Sequence, residues 1–280
     1  MTPAHTITAR SALAMGLASL VGLLAFAWPL FVDSGTWLAE SPDGPWFFAL
    51  LVPLLLAVVV AEMSEGGIDA KTVALLGVLT AVAAALRPLS GGVTGFQPMF
   101  VVLIIGGRVF GPGFGFLLGS TSMLASALIT GGVGPWLPFQ MIAAAWVGLG
   151  AGLLPRCRGR REVALLAGYG ALSALAFGVL MNLWFWPFIA TDGSIAFVAG
   201  DPIGQNLGRL LAFTVATSWG FDIPRALGNA LLIAALGAPA LRTLRRAHRV
   251  AAFAAVPMFT PPAIPATPAI PATPATPATL

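Results

Sequence analysis

Charge is what this sequence has least of. Only 9 % of its 280 residues are Asp, Glu, Lys or Arg, while 58 % are hydrophobic and the mean hydropathy is +0.92. Soluble domains carry about 25 % charged residues, so this chain lacks the polar surface that would cover a globule in water. Lipid is the solvent that its composition fits. A single cysteine, Cys157, excludes an internal disulfide and a cysteine-rich metal site. The two histidines, His5 and His248, stand at opposite ends of the chain. That spacing offers no metal cluster and no base beside a serine or threonine. The only lysine, Lys71, lies outside any G-x-x-x-x-G-K-[ST] string, and no such string occurs, so ATP hydrolysis by a phosphate-binding loop is excluded. These absences predict a chain that is not an enzyme and takes neither cofactor nor metal.

The acids are few as well, and each falls in a loop or at a helix end. Ion-coupled transporters usually embed an acid in the membrane, so an ion-driven mechanism is weakened. Sodium sites built from carbonyls at broken helices would need no acid. A pI near 10.6 could suit nucleic acid, but the basic residues sit at the ends of apolar runs, as topology signals do. No nucleic-acid partner is expected.

What is present is a series of apolar runs. A spanning helix takes about 20 mostly apolar residues, and seven stretches qualify: 11–32, 46–61, 72–86, 109–130, 137–154, 163–188 and 223–244. An eighth, 96–107, is short and reads as a tilted or re-entrant helix lined by protein. The expected fold is all-α, a polytopic transmembrane bundle of about eight helices. The first run contains Ala25-Phe26-Ala27, which resembles a signal-peptidase site, yet its apolar stretch exceeds the ~7–15 residues of a secretory segment. It is expected to be retained.

Eight passes with the N-terminus inside place eleven basic residues on the cytoplasmic side, from Arg10, Lys71 and Arg108 through Arg156–Arg161 to Arg242–Arg249. Only Arg87, Arg209 and Arg225 then lie outside. That asymmetry obeys the positive-inside rule and puts both termini in the cytoplasm. Six acids (Asp33, Glu40, Asp43, Asp192, Asp201 and Asp222) and most tryptophans then lie near the outer ends. The tryptophans form an interfacial belt or line an outward-facing pocket. The chain divides into a cytoplasmic start (1–10), two N-terminal helices (11–62), a membrane domain (70–249) and a tail (250–280). In that tail, Pro-Ala-Thr and Pro-Ala-Ile units alternate proline with small residues, which favours a polyproline II extension over packing.

Polar residues in or beside the spans are Arg87, Gln97, Gln140, Asn182, Asn206, Arg209 and Asn229. Asn182 stands in an apolar run where an unpaired amide is costly, so it serves either an interhelical hydrogen bond or a ligand. Arg87 precedes Pro88 and marks a helix end, where it either snorkels to headgroups or faces an anionic ligand group.

Residues 72–154 resemble a known family. A small-residue helix ends in Ala84-Ala85-Leu86-Arg87-Pro88-Leu89, a Gly-rich loop follows, then a short helix and the turn Arg108-Val109-Phe110-Gly111-Pro112-Gly113. Gly131-Gly132-Val133-Gly134-Pro135-Trp136 comes next, with Pro138-Phe139-Gln140. This pattern is similar to the core of the substrate-binding S components of energy-coupling factor (ECF) transporters, the vitamin and cofactor importers of prokaryotes. More loosely, the likeness continues to Arg249. It implies a six-helix core, to which the two helices before Glu62 are additions, and a location in a prokaryotic plasma membrane. It implies as partners a T component, two ABC-type ATPases, a vitamin-like small molecule and membrane lipid. The S component captures its ligand outside and topples in the membrane when the ATP-driven T component moves it.

On the same resemblance, ligand would bind among the outer helix ends, making Arg87, Gln97, Trp136, Gln140, Asn182, Trp184, Trp186, Asn206 and Arg209 the candidate substrate-binding residues. The scarcity of buried charge suits a ligand that is neutral or carries one acidic group. Family S components dock the T component through small residues on the first core helix, to which Ala74, Gly77, Ala81 and Ala85 correspond. Spacing of three or four puts these on one face; read without the resemblance, that face would pack inside the chain. A stand-alone secondary transporter and a non-catalytic structural or assembly protein are the alternatives.

Overall fold

The computed structural model describes residues 9–37, 41, 44–53, 55, 57, 70–90, 95–189 and 193–253. Within them the regular structure is helical, with nine α-helices: α1 (Ala9–Ala27), α2 (Gly44–Phe47), α3 (Ala70–Leu86), α4 (Met99–Phe110), α5 (Pro112–Thr130), α6 (Leu137–Leu153), α7 (Arg160–Phe185), α8 (Ile203–Thr217) and α9 (Trp219–Phe253). The expected second pass, 46–61, falls partly outside the described residues. So do residues 1–8 with His5, part of the Gly-rich loop (91–94), Asp192, and the Pro-rich tail from 254.

Four stretches are long and apolar enough to cross a membrane: Ala9–Leu30, Pro112–Thr130, Arg160–Phe188 and Trp219–Arg249. Three shorter apolar helices complete the bundle. The shortest, α4, has 12 residues, about 18 Å at 1.5 Å per residue, against ~30 Å of hydrocarbon. It is buried nearly all round, with Met99, Phe100, Leu103 and Ile104 sealed from solvent, and packs on α3, α5, α6, α7 and α9. A short helix is tolerated at membrane depth when protein surrounds it. Here it is the centre of the bundle.

The turn out of α4 is Gly111, whose φ of 102° lies where a side chain is strained. Pro112 follows at the first helical position of α5, where its missing N–H costs nothing. From that turn α5 and α6 run together on two facing rows of small residues, Gly111, Gly115 and Gly119 against Ala144, Gly148 and Gly152. A Cβ on Gly115, Gly119 or Gly148 would fall on the facing backbone. Close backbone approach of this kind is how helices associate where lipid removes any hydrophobic drive between them.

One element is absent from the sequence-based count. Residues 203–217, expected to lie in an outer loop, form α8, whose buried side (Asn206, Leu210, Phe213, Thr214) packs on α7 and α9 while Leu207, Leu211 and Val215 face outward. Its apolar run is too short to register as a span. The last helix is longer at both ends than the expected 223–244 and continues through Pro224 and Pro239.

The N-terminal helix belongs to the same core. Phe26 meets Phe139 of α6 edge-on at 5.0 Å, Trp184 of α7 stacks on Phe139 at 4.8 Å, and Trp146 donates its indole N–H to Ser19 Oγ at 3.0 Å. Phe48 joins the cluster at 5.1 Å from Phe139.

Candidate functional site

Alternation of the helices defines two ends of the bundle, one marked by Arg87 and the other by Arg108. At the Arg87 end, α3 stops and its terminal arginine reaches across to two other helices. Arg87 Nη2 donates to Gln140 Oε1 at 2.7 Å, and Nη1 reaches Ser126 Oγ on α5 at 3.4 Å. Pro138 in the first turn of α6 fixes where Gln140 stands. Burial draws the Arg87 guanidinium below its ordinary value, and it remains a cation because arginine is not deprotonated in proteins. A half-buried cation with a planar donor fork suits a carboxylate or phosphate oxygen. Gln97 is half-buried just before α4, and Trp136 is exposed with its indole N–H donated to Gly132 O at 3.1 Å.

A second set lies along the α7–α9 seam. Here the small residues Gly170, Ala174 and Gly178, at i, i+4 and i+8 on α7, make room for Asn229, Arg225 and Asp222 on the antiparallel α9. A Cβ on Gly178 would collide with the Asp222 carboxylate, and the Asn229 Cβ lies against Gly170. Arg225 Nη1 donates to Asp222 Oδ1 at 2.9 Å, and its guanidinium carbon sits 5.5 Å from the Phe177 ring centroid. One turn further toward the Arg87 end, Asn182 Nδ2 donates to Ser218 Oγ at 2.8 Å and to Thr214 Oγ1 at 3.1 Å, tying α7 to α8. The result is a column of polar side chains inside an apolar bundle. Arg225 Nε and both amide atoms of Asn229 are buried without a protein partner among the described residues. Buried polar atoms left so cost ~1–3 kcal/mol each, and a ligand with paired donor and acceptor groups would satisfy an amide directly.

Three of the expected residues build a wall around this end. Trp186 is fully buried and donates its indole N–H to Ile195 O at 2.7 Å. Asn206 donates to Val198 O at 2.8 Å, and Arg209 pairs with Asp201 at 2.6 Å. Asn206 and Arg209 pin the segment 193–201 onto α8, and Trp186 ties it to the end of α7. Trp184, stacked on Phe139, lies in the aromatic core. Arg87 and Gln140 are therefore joined directly. Asn182 stands in its own network with α8, and Trp186, Asn206 and Arg209 form a third group.

Sequence inspection missed Asp222, Arg225, Thr214 and Ser218, and Asn229 stood among the polar residues without a role. Asp222 and Arg225 read as charges outside the membrane, whereas the structure buries both in the first turns of α9. A signal was available. Asp222, Arg225 and Asn229 are spaced i, i+3 and i+7, one face of a helix. Glu162 falls at a helix end, in the first turn of α7, where it is buried. It accepts hydrogen bonds from Arg108 at 2.7 Å and Arg245 at 2.6 Å, joining the ends of α4, α7 and α9 at the opposite end of the bundle. Arg108 also donates to the carbonyls of Leu154 and Pro155, closing the end of α6.

The small-residue face of α3 is turned away from the bundle. Ala74, Gly77, Ala81 and Ala85 are exposed, and nothing lies within 4 Å of where a Gly77 Cβ would stand, while Leu76, Leu79 and Ala83 are buried. Among the described residues, the intrachain packing of that face expected without a family does not occur. Thr80 is half-buried and shares a 2.8 Å hydrogen bond with Thr121 of α5.

Comparison with known proteins gives one match. The family model of the ECF transporter, substrate-specific component, covers residues 71–237, more than half of the chain, from the start of α3 into α9. No curated protein and no solved structure matches the chain.

Proposed function

Because the chain belongs to the family of ECF transporter substrate-specific components, we propose that it captures a vitamin or other cofactor-like micronutrient at the Arg87 end of the bundle. A T component and two ATPases energise its uptake. The observation that carries the binding role is the family match over every helix from α3 to α9. Its division of labour agrees with a sequence that has no phosphate-binding loop of its own.

The ligand pocket in this reading lies where α4 begins, between the Arg87–Gln140 pair and the polar column of α7 and α9. Arg87 and Gln140 would receive an acidic or carbonyl group, and Asn182, Asp222, Arg225 and Asn229 would fix orientation by hydrogen bonds. Trp136, Trp184 and Trp186 supply aromatic surface around them, and the 193–201 segment held by Asn206 and Arg209 forms a cover. With one cationic side chain near the mouth and a paired Asp222–Arg225 inside, the ligand is neutral or carries one acidic group. The pocket end faces outside with both termini in the cytoplasm, by the distribution of basic residues, and membership of the family supports a prokaryotic membrane.

The exposed face of Ala74, Gly77, Ala81 and Ala85 is the docking surface for the T component. It offers a partner helix close backbone contact, and no described residue of the chain covers it.

Affinity purification from native membranes tests the assignment. A T component and two ATPases are expected to co-purify, and uptake of the ligand found bound by native mass spectrometry is expected to stop when ATP is depleted. Purification of the chain alone, with uptake indifferent to ATP, would instead favour a stand-alone carrier.

A further inference from the structure

At the Arg108 end, α7 and α9 leave a groove of ≈ 530 Å³ between them. We propose that it is a binding site for an anionic phospholipid. The proposal rests on membrane embedding alone and stands apart from ligand capture.

The groove exists because the facing side chains are small. Ala164 and Ala167 on α7 (i, i+3) meet Ala234 and Ala238 on α9 (i, i+4), with Val163 and Leu241 completing an apolar floor. At this end α7 and α9 stay in contact through Val163 against Gly237 and Arg245 on Glu162, and the alanines beside that contact line a cleft. Both helices belong to stretches apolar enough to cross a membrane, so this floor stands at acyl-chain depth.

The rim is cationic. Arg160 and Arg242 line the groove, are exposed and have no ion-pair partner among the described residues. Arg245 places one amino group on Glu162 and keeps a side chain 43 % exposed. Glu162 does not cancel the rim, because its carboxylate is 1 % exposed and already shared by Arg108 and Arg245. Three guanidinium groups thus face one neutralised carboxylate above an apolar cleft. Free phosphate would use the rim and leave the floor bare, and a neutral lipid would use the floor and leave the rim unpaired. An anionic phospholipid uses both. Its phosphate accepts from the arginine forks in the bidentate geometry they favour, and its acyl chain covers the alanines. Basic recesses between helices at a membrane face take anionic headgroups on this principle.

Native mass spectrometry in non-ionic detergent tests the site, with phosphatidylglycerol and phosphatidylcholine of matched acyl chains as probes. Wild-type protein is expected to retain phosphatidylglycerol at least tenfold more tightly than phosphatidylcholine, and R160Q/R242Q is expected to lose most of that preference. The control R156Q/R158Q removes two exposed arginines that do not line the groove and is expected to change nothing. A164L/A238L fills the floor with all arginines intact and is expected to weaken phosphatidylglycerol binding. Glycerol phosphate at equal concentration should not displace the lipid. The site is refuted by equal retention of the two lipids, by an equal loss in R156Q/R158Q, or by a floor-filled variant that binds as wild type. Displacement by glycerol phosphate would overturn it in favour of a simple anion site.

Discussion

Asp222 and Arg225 are the pair on which the interior of α9 depends. Each is nearly excluded from solvent, their contact is 2.9 Å, and the Gly178 gap on α7 exists to admit the carboxylate. Removing one partner of a buried pair leaves an uncompensated charge and costs ~3–5 kcal/mol, whereas replacing both by apolar groups is often near neutral. D222A should therefore lower the melting temperature in detergent sharply, and D222A/R225M should recover most of the loss. Thermal unfolding of the two variants side by side checks this. Arg87 presents the opposite case. It is half-buried, with one amino group on Gln140 and the other on Ser126, and its replacement leaves neutral partners rather than an unpaired charge. R87A is expected to fold like wild type while binding an acidic ligand at least tenfold more weakly, as measured by titration calorimetry with the ligand identified from the purified protein.

At the scale of elements, small residues do two different jobs. Between α5 and α6 they are buried, and the helices touch backbone to backbone along Gly115, Gly119, Ala144 and Gly148. On α3 they are exposed, and no described element of this chain uses them. The patterns look alike in sequence, since both repeat at three or four residues, and only the packing separates them. Ala81→Trp tests the exposed face. The indole would stand where a partner backbone would approach, and no described residue of the chain would be disturbed. Co-purification of the T component should be lost, with ligand affinity unchanged. A variant that loses ligand binding as well would mean that α3 is also part of the pocket.

The whole bundle is latched at its Arg108 end by one carboxylate. Glu162 holds Arg108 of α4 and Arg245 of α9 while standing on α7, and Arg108 in turn caps the end of α6. E162A should destabilise by ~3 kcal/mol, because Arg108 (7 % exposed) would be buried without its partner. R245A should cost at most ~1 kcal/mol, since that side chain is 43 % exposed and its charge is screened by water. Chemical denaturation in detergent, or thermal unfolding of both variants, distinguishes the two magnitudes. At the opposite end the arrangement is looser, with three separate polar groups around the start of α4. A bundle closed at one end and polar at the other suits a protein that takes its ligand from one side of the membrane.

Membrane embedding and helical class were legible from composition, because a chain this poor in charge has nowhere but lipid to fold, and spans announce themselves by continuous hydropathy. Family membership was legible in the Arg108–Gly113 and Gly131–Gln140 strings, where glycine and proline impose particular turns. Arg87 and Gln140 stood out because any polar residue beside an apolar run must be explained. The rest required packing. Helix α8 escaped notice since a short amphipathic helix lying against neighbours needs no continuous apolar run. Burial of Asp222, Arg225 and Glu162 could not be read from their helix-end positions. Whether a charge at a helix end meets water or another helix depends on the small residues opposite it, far away in the chain. Sequence by itself determined the solvent, the helical class and the family. Tertiary structure alone decided which polar groups meet, because each of those meetings joins side chains from different helices across a lipid-like interior.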